Sequence, residues 1–269
     1  MNNDHTETFP VLVGFGDRGW AVARSASSPF VPAARGEIGD PGHEACDAAC
    51  IALGLRAQMP DAPIVVLACH LDDLTGVASV ARSAVALCLP VTTYVIGVVE
   101  VPTAGDPEVG DELRDLHAAC HAVVVTRAGD GDPLAGGDAA ATKALIGLCT
   151  HRGWVAIHPF DVVLALGRCG YFRVGTAGGE RADIAVLAEL AATRATVGAR
   201  PGDLVENLLI HLEVSNEAGA MSDLFLVVET VSAHVSHEGE AVWAYTVRAG
   251  EGCRITVLAA QQTTPEDGP

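Results

Sequence analysis

Gly14-Phe15-Gly16-Asp17-Arg18-Gly19 is the stretch whose residue types and spacing could do chemistry. It follows the apolar run Val11-Leu12-Val13 and precedes the helix-like Trp20-Ala21-Val22-Ala23-Arg24. A strand that turns through glycines into a helix aims backbone N–H groups and the positive end of a helix dipole at one point, which suits a phosphate. The same spacing also makes a tight turn with no ligand. A second place for chemistry is the loop Trp154 to Pro159, which feeds the apolar stretch from Phe160 to Thr176. A third is His43, Cys46 and Cys50, whose spacing nearly shares one helix face. No fourth ligand stands near them, and small thiols on a helix read as core before they read as zinc ligands.

The elements that must position these residues follow from the apolar pattern. Val11–Val13, Pro63–Ala68, Val91–Val99 and His121–Thr126 read as buried strands. Between and after them, helices are expected at His43–Leu55, Val77–Cys88, Glu108–Cys120 and Asp138–His151, the last with Asp138 as N-cap. Ser27–Gly42, rich in Ser, Pro and Gly, reads as loop. Strands alternating with helices predict a parallel sheet covered on both faces, with ligands at the carboxyl ends, here the loops after Val13, Ala68, Val99 and Thr126. In Phe160–Thr176, Val162, Val163, Leu164, Leu166 and Cys169 make FDVVLALGRCGYFRVGT apolar on most sides, which predicts a buried helix between two differently built halves. Glu180–Ala195 reads as a further helix. Leu208–Val214, Leu224–Thr230, Ala241–Arg248 and Arg254–Ala260 read as four strands, which puts His234 and His237 in a polar hairpin. The fold class expected is α/β: a Rossmann-like parallel-sheet domain at residues 1–159, a central helix and connection at 160–177, a smaller α+β, β-rich domain at 178–263 and a polar tail at 264–269.

Composition narrows the function. The net charge of −18 argues against nucleic acid as a partner, because neutralising phosphates needs a basic face. No apolar run nears the roughly 20 residues of a membrane helix. The polar start MNNDHTETFP resembles no signal peptide. Eight cysteines scattered through apolar patterns suit reduced thiols better than a disulfide framework. The expectation is an acidic cytoplasmic protein.

In its order of motifs the chain resembles the tubulin/FtsZ superfamily, from Val11 to Ala260. VLVGFGDRGWAVA is similar to the family's first phosphate loop, and RGEIGDPGHEA to its glycine-rich third loop. LACHLDDLTGVAS stands where the family has GGGTGTG, and HPFDVVLALGRCGYFRVGTAGGERA resembles its catalytic loop, central helix and following helix. SDLFLVVE and VWAYTVRAGEGCRITVLAAQ resemble strands of its C-terminal domain. The resemblance implies a nucleotide site at Gly14, Phe15, Gly16, Asp17, Arg18, Gly19, Asp72, Asp73, Thr75, Gly76 and Thr142, with His158 and Asp161 in a catalytic loop. GTP or GDP with Mg²⁺ would be its cofactor.

The departures from the family pattern carry as much information. Only Thr75-Gly76 match in the signature loop, where Asp72 and Asp73 replace glycines. Side chains there block the close approach of backbone N–H groups to phosphates. Each carboxylate–phosphate pair at about 4 Å costs on the order of a few kcal/mol at an effective dielectric near 20. Ala156 stands for the family's catalytic-loop Asn and His158 for the first acid, while Asp161 keeps the second. Thr142 replaces a base-contacting Asn. The expected function is therefore a cytoskeletal protein that stacks head to tail, on itself or on another FtsZ-like protein, with a degenerate site, no or weak GTP hydrolysis and cofactors none or GTP/GDP. Arg152, Arg168 and Arg173 are candidates to meet a neighbour's Asp72 and Asp73. Two other functions fit the same resemblance: a working FtsZ-like GTPase in cell division, and a non-polymerising scaffold that regulates another filament. A Rossmann-type NAD(P) enzyme is disfavoured, because Glu37 and Asp40 stand at the right distance with no strand before them.

Overall fold

A computed structural model of the chain describes residues 10–27, 33–36, 64–70, 77–78, 94–101, 111–127, 137–150, 159–167, 171–196, 205–235, 241–247 and 251–261. In chain order the elements are β1 (Val11–Phe15), α1 (Gly16–Ala26), β2 (Ala33–Gly36), β3 (Ile64–His70), β4 (Tyr94–Val101), α2 (Asp111–Ala119), β5 (Ala122–Arg127), α3 (Gly137–Thr150) and α4 (Pro159–Gly167). Then come β6 (Tyr171–Gly179), a 3₁₀ turn (Arg181–Asp183), α5 (Ile184–Ala195), β7 (Val205–Val214), α6 (Ala220–His234), β8 (Ala241–Val247) and β9 (Cys253–Gln261).

Among the described residues the strands form one sheet, in the order β2-β1-β3-β4-β5-β6-β9-β7-β8. Strands β2 to β6 of that order run parallel. β9 is antiparallel to both its neighbours, and β7 and β8 are parallel to each other. It follows that β7 points the same way as β1, so the whole sheet has one carboxyl end and one amino end for these strands.

Every residue of β1 and β3 is buried, as in parallel strands covered by helices on both faces. On one face a single core runs the width of the sheet, from Leu12 and Val66 through Val124 and Val174 to Leu209, Ala244 and Leu258. Helices α1, α3 and α4 cover it through Ala23, Leu145 and Leu166. The other face holds two cores. α2 closes one with Leu113 and Leu116; α5 and α6 close the other with Leu187, Ala191, Leu224 and Val231.

Several expectations change here. Phe160–Thr176 is not one helix: α4 ends at Gly167, and from Tyr171 the chain is β6, paired with β5 and β9. The buried helix that bridges the halves is instead α3, which packs against α1, α4 and every strand from β3 to β9. At its Gly147 an added Cβ would fall 2.3 Å from Nε2 of the buried His211 on β7, so only a helix without a side chain there can lie that close. α3 opens at Gly137, which puts Asp138 inside the first turn rather than at the cap. Leu224–Thr230 lies within α6, not a strand, because Ala220, Leu224, Val227 and Val231 bury one helical face. His234 accordingly sits in the last turn of α6, where Nε2 meets Glu189 of α5 at 3.2 Å, and not in a hairpin. A strand, β2, does precede Glu37, where a loop was expected. The helix expected at His43–Leu55 lies outside the described residues.

Candidate functional site

β1 passes into α1 without an intervening loop, so the glycine stretch is the end of a strand and the first turn of a helix. Gly16 holds φ at +64°, the left-handed region that suits glycine. Phe15, at the N-cap, offers no side-chain hydrogen bond to the turn, which leaves its N–H groups for another acceptor. Gly14 and Gly19 have a different task. A Cβ on Gly14 would sit 2.3 Å from the Gly19 carbonyl oxygen, and a Cβ on Gly19 would sit 2.2 Å from that of Ala68 in β3. Both glycines let α1 lie directly on β1 and β3, and that need exists without a ligand.

Asp17 and Arg18 are exposed beside the turn. Arg35 of β2, register partner of Gly14, donates to the Asp17 carboxylate at 2.9 Å. Pattern reading missed Arg35 because Ala33–Gly36 is too short and too poor in β-branched residues to declare a strand. The turn therefore combines free N–H groups and a guanidinium, which favour an anion, with a carboxylate that opposes one.

Thr142 lies in α3, which packs on α1, and is fully buried. Its Oγ1 has no hydrogen-bond partner. A buried hydroxyl without a partner costs about 1–3 kcal/mol, so this atom has the character of a group waiting for an acceptor or donor. The structure thus brings Gly14, Phe15, Gly16, Asp17, Arg18 and Gly19 to the carboxyl end of β1, beside the end of β3, with Thr142 on the neighbouring helix. Asp72, Asp73, Thr75, Gly76 and His158 lie outside the described residues, as do Arg152 and Arg168.

Asp161 is elsewhere. It is exposed in the first turn of α4. One turn further on, the Ala165 carbonyl accepts from Nδ2 of Asn207 at 2.9 Å, and Asn207 stands near the start of β7. Since β7 runs parallel to β1, α4 is tied to the amino end of these strands while the glycine turn is at the carboxyl end. Within one chain the two cannot meet. Arg173, on β6, is half-buried and already engaged within the chain. Among the described residues no three metal-type side chains gather. Cys69, Cys120 and Cys253 are not in disulfides, and burial pushes the Cys120 pKa up to about 12, which keeps it protonated.

No family model matches the sequence, and no curated protein matches it either. Solved structures do. An empty FtsZ dimer from M. jannaschii superposes with a TM-score of 0.73 at 16% identity, over 97% of this chain and 90% of that one. The fold is tubulin/FtsZ-like. CetZ1 from Haloferax volcanii, a GDP-bound monomer, gives 0.59 at 16% identity over 96% of both chains. TubZ from Bacillus thuringiensis serovar israelensis, in GDP-form protofilaments, gives 0.56 at 11% identity over 96% of this chain and 85% of that one. Among the described residues no helix is long and apolar enough to cross a membrane.

Proposed function

We propose that this protein is a cytoplasmic cytoskeletal subunit that assembles head to tail into filaments, on itself or on another FtsZ-like protein, with guanine-nucleotide turnover weak or absent. The observation that carries the reading is the placement of the two candidate half-sites. The glycine turn of α1 lies at the carboxyl end of the sheet and Asp161 at the amino end, so stacking one subunit on the next is what joins them. A contact between two different faces repeats without closing and generates a filament. TubZ, one of the solved structures with this fold, forms protofilaments. Against vigorous turnover stand Asp72 and Asp73 in place of glycines, His158 in place of an acid, and Asp17 in the first turn of α1. The glycines of α1 do not argue the other way, because packing on β1 and β3 requires two of them.

The test is sedimentation of purified protein with and without GTP and Mg²⁺, with nucleotide content and phosphate release measured on the same samples. Pelleting filaments from nucleotide-free protein are expected. Co-purified guanine nucleotide with hydrolysis that Asp161→Ala abolishes would replace this reading by a working GTPase. Protein that never pellets would leave the scaffold reading.

A further inference from the structure

The sheet has two edges, and they are built differently. β2 is four residues long and its Arg35 is tied to Asp17, so it is short and charged, two devices that keep an edge from pairing. β8, AVWAYTV, has seven residues with no charge, no proline and no glycine, and among the described residues it pairs only with β7. Its free side is also apolar. Val247 is 51% exposed, and Phe225 of α6, 54% exposed, sets its ring edge-on to Trp243 at 5.8 Å between centroids. An uncharged apolar edge of this length, roughly 23 Å, is a template for another strand.

We propose that β8 pairs antiparallel with β8 of a second copy of this chain, about a two-fold axis through Ala244. The occupant follows from charge and register. In a chain of net charge −18, self-association meets least repulsion where a patch carries no charge, and β8 carries none of the 34 acidic residues. A two-fold at Ala244 sets Trp243 against the second copy's Tyr245 and Ala241 against its Val247, covering the exposed valine in both copies. Because the axis is normal to the sheet, the two α6 helices fall on the same face, each bringing a Phe225 to the seam. In sequence, Glu240 and Arg248 stand equidistant from Ala244, so the same two-fold matches an acid with a base by position. This contact is isologous and closes on itself. It is separate from head-to-tail stacking.

Sedimentation velocity of the full chain, nucleotide-free and across a concentration series, tests it. The wild type is expected to form a dimer that dissociates on dilution. Val247→Asp should weaken dimerisation at least tenfold, and adding Ala241→Arg should restore it, because only this register sets position 241 opposite 247. Phe225→Ser should weaken it without touching the strand. Matching circular dichroism spectra and denaturation midpoints verify that each variant is folded. A monomeric wild type, as would result if another segment of this chain or a different protein covered β8, overturns the proposal. So does Val247→Asp dimerising as tightly as wild type, or a double variant that stays monomeric. Pelleting separates the two readings: Val247→Asp protein that pellets but does not dimerise leaves head-to-tail assembly intact, and wild type that dimerises but never pellets removes only the filament.

Discussion

In each half of the molecule a helix lies against a strand where a glycine leaves room for backbone. In the amino-terminal half α1 rests on β1 and β3 where Gly14 and Gly19 leave room for backbone. In the carboxy-terminal half α5 rests on β6 at Gly175, where a Cβ would lie 1.9 Å from the Ala191 carbonyl oxygen and 2.4 Å from the Ala195 nitrogen. The steric device is the same, yet only the first has the spacing associated with phosphate. Around α5 the polar side chains close on backbone: Thr193 donates to Glu189 O at 2.9 Å, Thr196 to Ala192 O at 3.0 Å, and Arg194 to Thr176 O. Neither α1 nor α5 has a side-chain cap, but near α1 the Thr142 hydroxyl has no partner. Close helix–strand approach is thus an architectural need that glycines meet in both halves. What sets the surroundings of α1 apart is one buried hydroxyl, that of Thr142, without a partner.

The largest effect should come from filling those approaches. Gly175→Ala and Gly19→Ala each drive a methyl into backbone that no side-chain rotation can move aside. Each should lower the unfolding free energy by about 3 kcal/mol or more, the upper range of overpacking. Urea titration of nucleotide-free protein reads this directly. Equal losses mean that the two glycines do the same work. A Gly19→Ala protein as stable as wild type would mean that α1 does not sit on β3 as described, and the comparison would collapse.

A smaller effect of opposite sign sharpens the difference. Thr142→Val keeps the volume and the β-branch but removes the orphan hydroxyl, so the nucleotide-free protein should gain about 1 kcal/mol. A loss instead would show that Oγ1 has a partner in solution. If guanine nucleotide binds beside α3 and uses this hydroxyl, the gain should shrink or reverse when nucleotide is added, which denaturation with and without GTP would detect.

The amino-terminal half was the more legible in the sequence. β3, β4 and β5 are built on the apolar runs IVVLAC, VIGVV and AVVV, the pattern expected of strands buried on both faces. β6 hid because YFRVGTAGG has three glycines, at least one of them required by α5, and they dilute the β-branched signal while the apolar residues of α4 run on toward it. α6 was misread because LFLVVET is rich in β-branched residues; its burial at Leu224, Val227 and Val231 follows helical spacing, which a seven-residue window is too short to establish. Arg35 was invisible for want of β2. Of the site residues expected, the glycine turn and Thr142 fall on adjoining elements. The packing roles of Gly19 and Gly147 are not written in any motif, because they depend on Ala68 and His211, distant in sequence.

The smallest effect concerns a histidine in each half. His211 is buried between β7 and α3, with Nε2 3.1 Å from the Thr246 hydroxyl. His121 precedes β5, its Nδ1 accepting the Val95 N–H at 3.0 Å and its ring 5.0 Å from that of Tyr94. Burial holds the His121 pKa below its ordinary 6.5. The sign follows from proton binding. Above pH 6.5 both folded and unfolded chains carry a neutral ring, so the full contribution is present. As pH falls below that value the unfolded chain takes up a proton the fold resists, and stability is lost until the folded pKa is passed. His121→Phe keeps a ring against Tyr94 but leaves the Val95 N–H without its acceptor. It should cost about 1 kcal/mol at neutral pH. Its deficit should narrow by less than about 1 kcal/mol as pH falls, because the variant lacks that titration. Urea unfolding of both proteins from about pH 8 to about pH 5 measures the narrowing. A deficit that widens on acidification would place a proton on His121 in the folded state and reverse the assignment of Nδ1 as an acceptor.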